Sequence, residues 1–77
     1  MIIKNVTPTD NFTLLIETND GRQGKFDISP YFKYEVFAEL KDSNKFKNIL
    51  NGGYFIEWDC GADLSADTIE AHLEVLS

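Results

Sequence analysis

Tyr54-Phe55-Ile56-Glu57-Trp58-Asp59-Cys60-Gly61-Ala62-Asp63-Leu64 is the stretch on which the fold reading turns. Apart from Glu57, its first five residues are aromatic or β-branched, which is strand composition. Asp59-Cys60-Gly61 reads as a turn. Asp63-Leu64-Ser65 then leads into a helix, with Ser65 as its cap and Asp67 and Glu70 near its positive N-terminal end. The only Trp and the only Cys of the chain stand here beside two Asp.

Ile69, Leu73 and Leu76 form the apolar stripe of that last helix. On the other side, Asn51-Gly52-Gly53 reads as a hairpin turn, preceded by a short strand or extended run from Phe46 to Leu50. Further back, Ile2 to Thr7 is a first strand that Pro8 ends, because Pro has no N–H for a ladder. Asp10 and Asn11 turn the chain into a second strand, Phe12 to Thr18. Phe12, Leu14 and Ile16 share one face of it and Leu15 takes the other.

Asn19-Asp20-Gly21 is the clearest hairpin signal, since Gly tolerates positive φ and Asp bonds locally. The third strand, Arg22 to Ile28, alternates Phe26 and Ile28 with Lys25 and Asp27. Gly24 inside it points to a bulge or a close neighbour. Ser29-Pro30 opens a short helix carrying Tyr31 and Phe32. Glu35 to Lys41 is a second, with Val36, Phe37 and Leu40 at helical spacing, and Asp42-Ser43-Asn44 break it. The expected fold is α+β in a single domain, 1–77: a mainly antiparallel sheet of about five short strands, short middle helices and a C-terminal helix.

A chain of 77 residues is marginal in size, burying only about 60% of its unfolded surface. One cysteine excludes an internal disulfide and fits a reducing compartment. No Cys/His cluster suggests zinc. Stability is left to an aromatic core, for which six Phe, three Tyr and one Trp are available, or to self-association. The net charge of −6, with seven basic against thirteen acidic residues, argues against nucleic-acid binding, which rests on neutralising phosphates. Met1 to Ile3 are followed at once by Lys4 and Asn5, so no signal peptide is expected. No apolar run approaches the roughly 20 residues of a membrane span. The expected location is the cytoplasm.

Asp20-Gly21, Phe26-Asp27, Phe37 to Leu40, Phe46 and the run Trp58, Gly61, Asp63, Leu64, Ser65, Asp67, Thr68, Ile69 together form a pattern. In it the chain resembles the small bacterial proteins grouped as domain of unknown function 2442. The resemblance covers nearly the whole chain, and the run from Trp58 to Ile69 is its most specific part. Cys60 and Gly24 depart from the pattern. The resemblance implies no established activity. It does imply that some relatives are fused to a helix-turn-helix and that some are encoded beside small proteins in toxin–antitoxin-like pairs. This chain ends soon after its last helix, so no DNA-binding extension is expected.

Four constellations carry candidate chemistry. Asp59, Asp63, Asp67 and Glu70 are a candidate divalent-metal site, since hard cations take carboxylate oxygens. Their spacing does not fit an EF-hand loop, and each has a local role as a turn or helix-start residue. Cys60 and His72 are a candidate thiol and base, but nothing places them together and no third group orients them. Trp58 is either a stacking or anchor residue or a core residue. Tyr31, Phe32 and Tyr34 form an aromatic run that one helical turn cannot hide completely; the alternative is that they cap one end of the sheet.

The expected function is therefore that of a small acidic protein-interaction module. Its candidate surface is Tyr31, Phe32, Tyr34 and Trp58, and its partner is another protein or a second copy, as a homodimer. An antitoxin-like partner of a small toxin-like protein is one version, implied by the resemblance alone. The alternative is a metal- or small-ligand-binding domain centred on Asp59 to Glu70. No catalytic residue, cofactor or metal ligand is assigned.

Overall fold

The computed structural model describes residues 1–9 and 11–76. Asp10, half of the first expected turn, lies outside the described residues.

The first half is an antiparallel meander of β1 (Ile3–Pro8), β2 (Thr13–Thr18) and β3 (Gln23–Asp27). The period-two alternation sets its faces. Leu14, Ile16 and Thr18 are buried, and Leu14 stands opposite Phe26. Leu15, opposite Lys25, faces outward. The Asn19–Gly21 turn forms as expected, with Gly21 at φ 89° and the Thr18 N–H donating to the Arg22 carbonyl at 2.9 Å. The β2–β3 register runs unbroken past Gly24, so Gly24 marks a close neighbour and not a bulge.

The middle of the chain is short helical pieces. Ser29–Lys33 is a 3₁₀ helix with Pro30 in its first turn. Ser29 does not cap it: Ile28 holds the cap position, and the Asp27 carboxylate accepts the Ser29 N–H at 2.9 Å. Next come α1 (Glu35–Ala38) and a 3₁₀ turn, Glu39–Lys41, which bury Phe37 and Leu40. Asp42-Ser43-Asn44 start a helix as well as ending one. The Asp42 carboxylate accepts the Asn44 N–H at 2.9 Å and caps α2 (Ser43–Lys47), whose last turn carries Lys45 and Lys47. Phe46 therefore lies on a helix, and the strand expected from Phe46 shrinks to β4 (Ile49–Asn51).

The second sheet is β4, β5 (Phe55–Trp58) and β6 (Asp63–Ser65), all antiparallel. Asp63–Ser65 is a strand before it is a helix entry, because Gly61, at φ 94°, turns the chain back onto β5. Ser65 caps α3 (Ala66–His72) through its hydroxyl, which accepts the Thr68 N–H at 3.1 Å. This helix stops at His72. Leu73 is extended, and β7 (Glu74–Leu76) pairs with β3. Leu76 thus leaves the expected helical stripe. The unpaired backbone along the β3 edge outweighs the helical periodicity of the tail.

The result is α+β with, among the described residues, seven strands in two antiparallel sheets, ordered β1-β2-β3-β7 and β4-β5-β6, in place of one sheet of about five. Asn51 ties the sheets together. Its side-chain amide donates to the Ile3 and Lys4 carbonyls at 3.0 and 3.2 Å and its oxygen accepts the Gly53 N–H at 2.9 Å. One apolar cluster joins Leu14, Ile16 and Phe26 from the first sheet to Ile56, Trp58 and Leu64 from the second, with Leu40, Phe46 and Ile69 from the helical segments. No helix among the described residues is long and apolar enough to cross a membrane.

Candidate interaction surface

Trp58 lies on β5 with its side chain turned inward. It is 3% exposed, its indole N–H donates to the Phe46 carbonyl at 2.9 Å, and its ring stacks on Phe46. This corrects the expectation that Trp58 belongs to a partner surface: it is core. Tyr31 is half-buried, stacked on Phe26 with centroids 5.7 Å apart. Phe32 is also half-buried, edge-on to Phe12 at 5.3 Å. Of the aromatic run only Tyr34 is mainly in solvent, at 51%, with the Lys33 ammonium 5.2 Å from its ring centroid. Val36 is exposed close by in the chain.

The four acidic residues are dispersed. Among the described residues, no group of three His, Cys, Asp or Glu side chains is placed to hold a metal ion. Glu70 accepts from Arg22 Nη2 at 3.1 Å, and Arg22 Nε reaches the Asp20 carboxylate at 2.9 Å. The Thr18 hydroxyl also donates to Asp20. These hydrogen bonds, Thr18 first and then Arg22, lower the Asp20 pKa from 3.8 to about 2. The same contacts, Asp20 first and then Glu70, push Arg22 upward. Asp59 borders a hollow with Glu39, Lys45, Asn48 and Cys60. His72 borders a different one with Asp27, Tyr31 and Tyr34. The Cys60 thiol lies 3.8 Å from the Val36 carbonyl oxygen, which it faces in place of an imidazole.

A further group of exposed apolar side chains lies at β4 and β5. Since Ile56 and Trp58 point inward, strand parity turns Phe55 and Glu57 outward. Leu50 stands opposite Glu57 on one side, and Asp63 stands opposite it on the other. Phe55 faces Ser65. Tyr54, Leu50 and Phe55 are 69%, 57% and 42% exposed. Ile2, also exposed, adjoins Gly53 at the hairpin tip. The Phe55 ring lies over Gly52: a Cβ there would fall 2.5 Å from the ring, which would have to shift. The outer face of β4–β6 is therefore Leu50 and Phe55, bordered by Glu57 and Asp63, with Tyr54 exposed beside it at the turn before β5. The signal was in the sequence, since Phe55 shares the parity of the charged Glu57 and opposes that of Trp58.

A family model described as protein of unknown function (DUF2442) matches residues 3–74. No curated protein and no solved structure matches the chain.

Proposed function

The chain belongs to the DUF2442 family of proteins of unknown function, and from that premise we propose that it is a small acidic protein-interaction module. It binds a partner protein through the outer face of β4–β6. The observation that carries this reading is the exposure of Leu50, Tyr54 and Phe55 on one hairpin of a chain this small. Burying a large apolar side chain stabilises by about 1.5–3 kcal/mol. Three such anchors give a docking face enough to offset a good part of the cost of association.

The module acts by binding and not by catalysis, and the separation of Cys60 from His72 into different hollows supports that. The net charge of −6 speaks against direct nucleic-acid binding. A cytoplasmic location is part of the proposal, supported by the single free cysteine. A small toxin-like protein is one partner of this kind, and its only support is the family resemblance.

The test is capture of the partner from the native cell by the tagged chain and by a Leu50→Lys, Tyr54→Lys variant. Both substitutions fall on exposed side chains, so circular dichroism and the thermal midpoint stay unchanged. A stoichiometric partner held by the wild type and lost by the variant supports the proposal. Equal capture by both chains overturns it.

A further inference from the structure

We infer that the outer face of β4–β6 takes a cationic, apolar segment of the partner, with an Arg or Lys side chain set between Glu57 and Asp63 and an apolar neighbour on Leu50 and Phe55. This rests on the reading of that face as a docking surface, and it names the chemistry of the occupant.

Glu57 and Asp63 are directly opposed across the β5–β6 pair. Like charges in that position destabilise each other. Among the described residues, the two ion pairs are Arg22 with Asp20 and Arg22 with Glu70, and neither Glu57 nor Asp63 has a hydrogen-bonded or ion-paired partner for its carboxylate. The pair is flanked by apolar surface, Leu50 across from Glu57 and Phe55 two residues before it on the same face. A segment docked on Leu50 and Phe55 displaces water beside the carboxylates, which strengthens their attraction for a cation. A guanidinium fork matches two carboxylates better than an ammonium does.

The same charges disfavour the other occupants. In a two-fold homodimer through this face, both copies bring the same two carboxylates to the interface, and two chains of charge −6 are brought together. A divalent ion needs more oxygens than two carboxylates on a flat sheet supply.

The experiment is an amide NMR titration of the intact chain with two short synthetic peptides, one alternating leucine and arginine, the other leucine and glutamate. It is run at about 0.02 M and about 0.3 M salt. The inference expects the arginine peptide to shift the resonances of Leu50, Phe55, Glu57 and Asp63 saturably, and the glutamate peptide to leave them in place. It expects the affinity to fall several-fold at the higher salt, and about tenfold in a Glu57→Gln, Asp63→Asn variant. Shifts spread evenly over the other acidic residues, or an unchanged affinity in that variant, overturn it. So do concentration-dependent shifts at this face without peptide, which mean a second copy, or shifts there with Ca²⁺ alone, which mean a cation site. If the peptide fails while the Leu50→Lys, Tyr54→Lys variant still loses its captured partner, the docking face stands and its cationic specificity falls.

Discussion

Leu73 lies directly over Gly24. A Cβ on Gly24 would come within 2.6 Å of the Leu73 Cγ and 2.9 Å of the Glu74 carbonyl oxygen. The contact explains a glycine in the middle of β3: its bare backbone lets β7 close onto the sheet edge, with Gly24 opposite Val75. Gly24→Ala should therefore cost about 1–3 kcal/mol through overpacking, despite the gain in strand propensity. Amide exchange checks the location, because the loss of protection should centre on Glu74 to Leu76. Adding Leu73→Ala should relieve only part of the cost, since the Glu74 carbonyl remains.

Trp58 holds the join between the second sheet and α2 through its bond to the Phe46 carbonyl. Trp58→Phe keeps most of the ring packing and removes the donor, which leaves a buried carbonyl unmet. The expected loss is about 1–3 kcal/mol, read as a lower denaturation midpoint at unchanged slope. In the wild type, Trp58 emission should be that of a buried indole, shielded from quencher until the chain unfolds.

Asp20 makes the β2–β3 hairpin sensitive to acid. Its pKa is depressed in the folded state, from 3.8 to about 2, by the Thr18 hydroxyl and then by Arg22. A depressed carboxylate contributes stability above its unfolded pKa and loses it as pH falls through the folded one. Asp20→Asn should therefore lower the thermal midpoint at neutral pH. The gap to the wild type should close as the pH falls from about 4 toward about 2. A gap that persists to the acid end would assign the effect to turn geometry instead.

Divalent cations should leave the thermal midpoint unchanged. Preferential binding to the folded chain raises the midpoint by mass action. Here Glu70 is engaged by Arg22, and Asp59, Asp63 and Asp67 form no cluster with it among the described residues. A midpoint that climbs with Ca²⁺ or Mn²⁺ would restore the acidic stretch as a metal site.

The fold was legible where local chemistry and tertiary need agree. The Asp20-Gly21 and Gly52-Gly53 turns and the Ser65 cap stand where the residues put them, because each depends on positions close in sequence. Three elements were not legible. Glu74–Leu76 carries helical periodicity, yet pairs with a β3 edge that no local pattern reveals. Asp63–Ser65 is too short to show alternation. Phe46 sits on a helix because Asp42 both ends one segment and caps the next. Which aromatic side chains are covered was not legible for a related reason. Composition showed an excess of aromatics but not which were covered. Tyr31 and Phe32 are packed against Phe26 and Phe12, contacts that exist only once the meander has folded.

The central claim is that the outer face of β4–β6 is where a partner docks. The measurement that tests it most directly is hydrogen exchange of the chain, free and saturated with its captured partner. The account predicts new protection over Ile49–Asn51, Tyr54 to Trp58 and Asp63–Ser65, with the backbone around Tyr34 unchanged. Protection confined to the segment from Tyr31 to Val36, with β4–β6 exchanging as in the free chain, would contradict it.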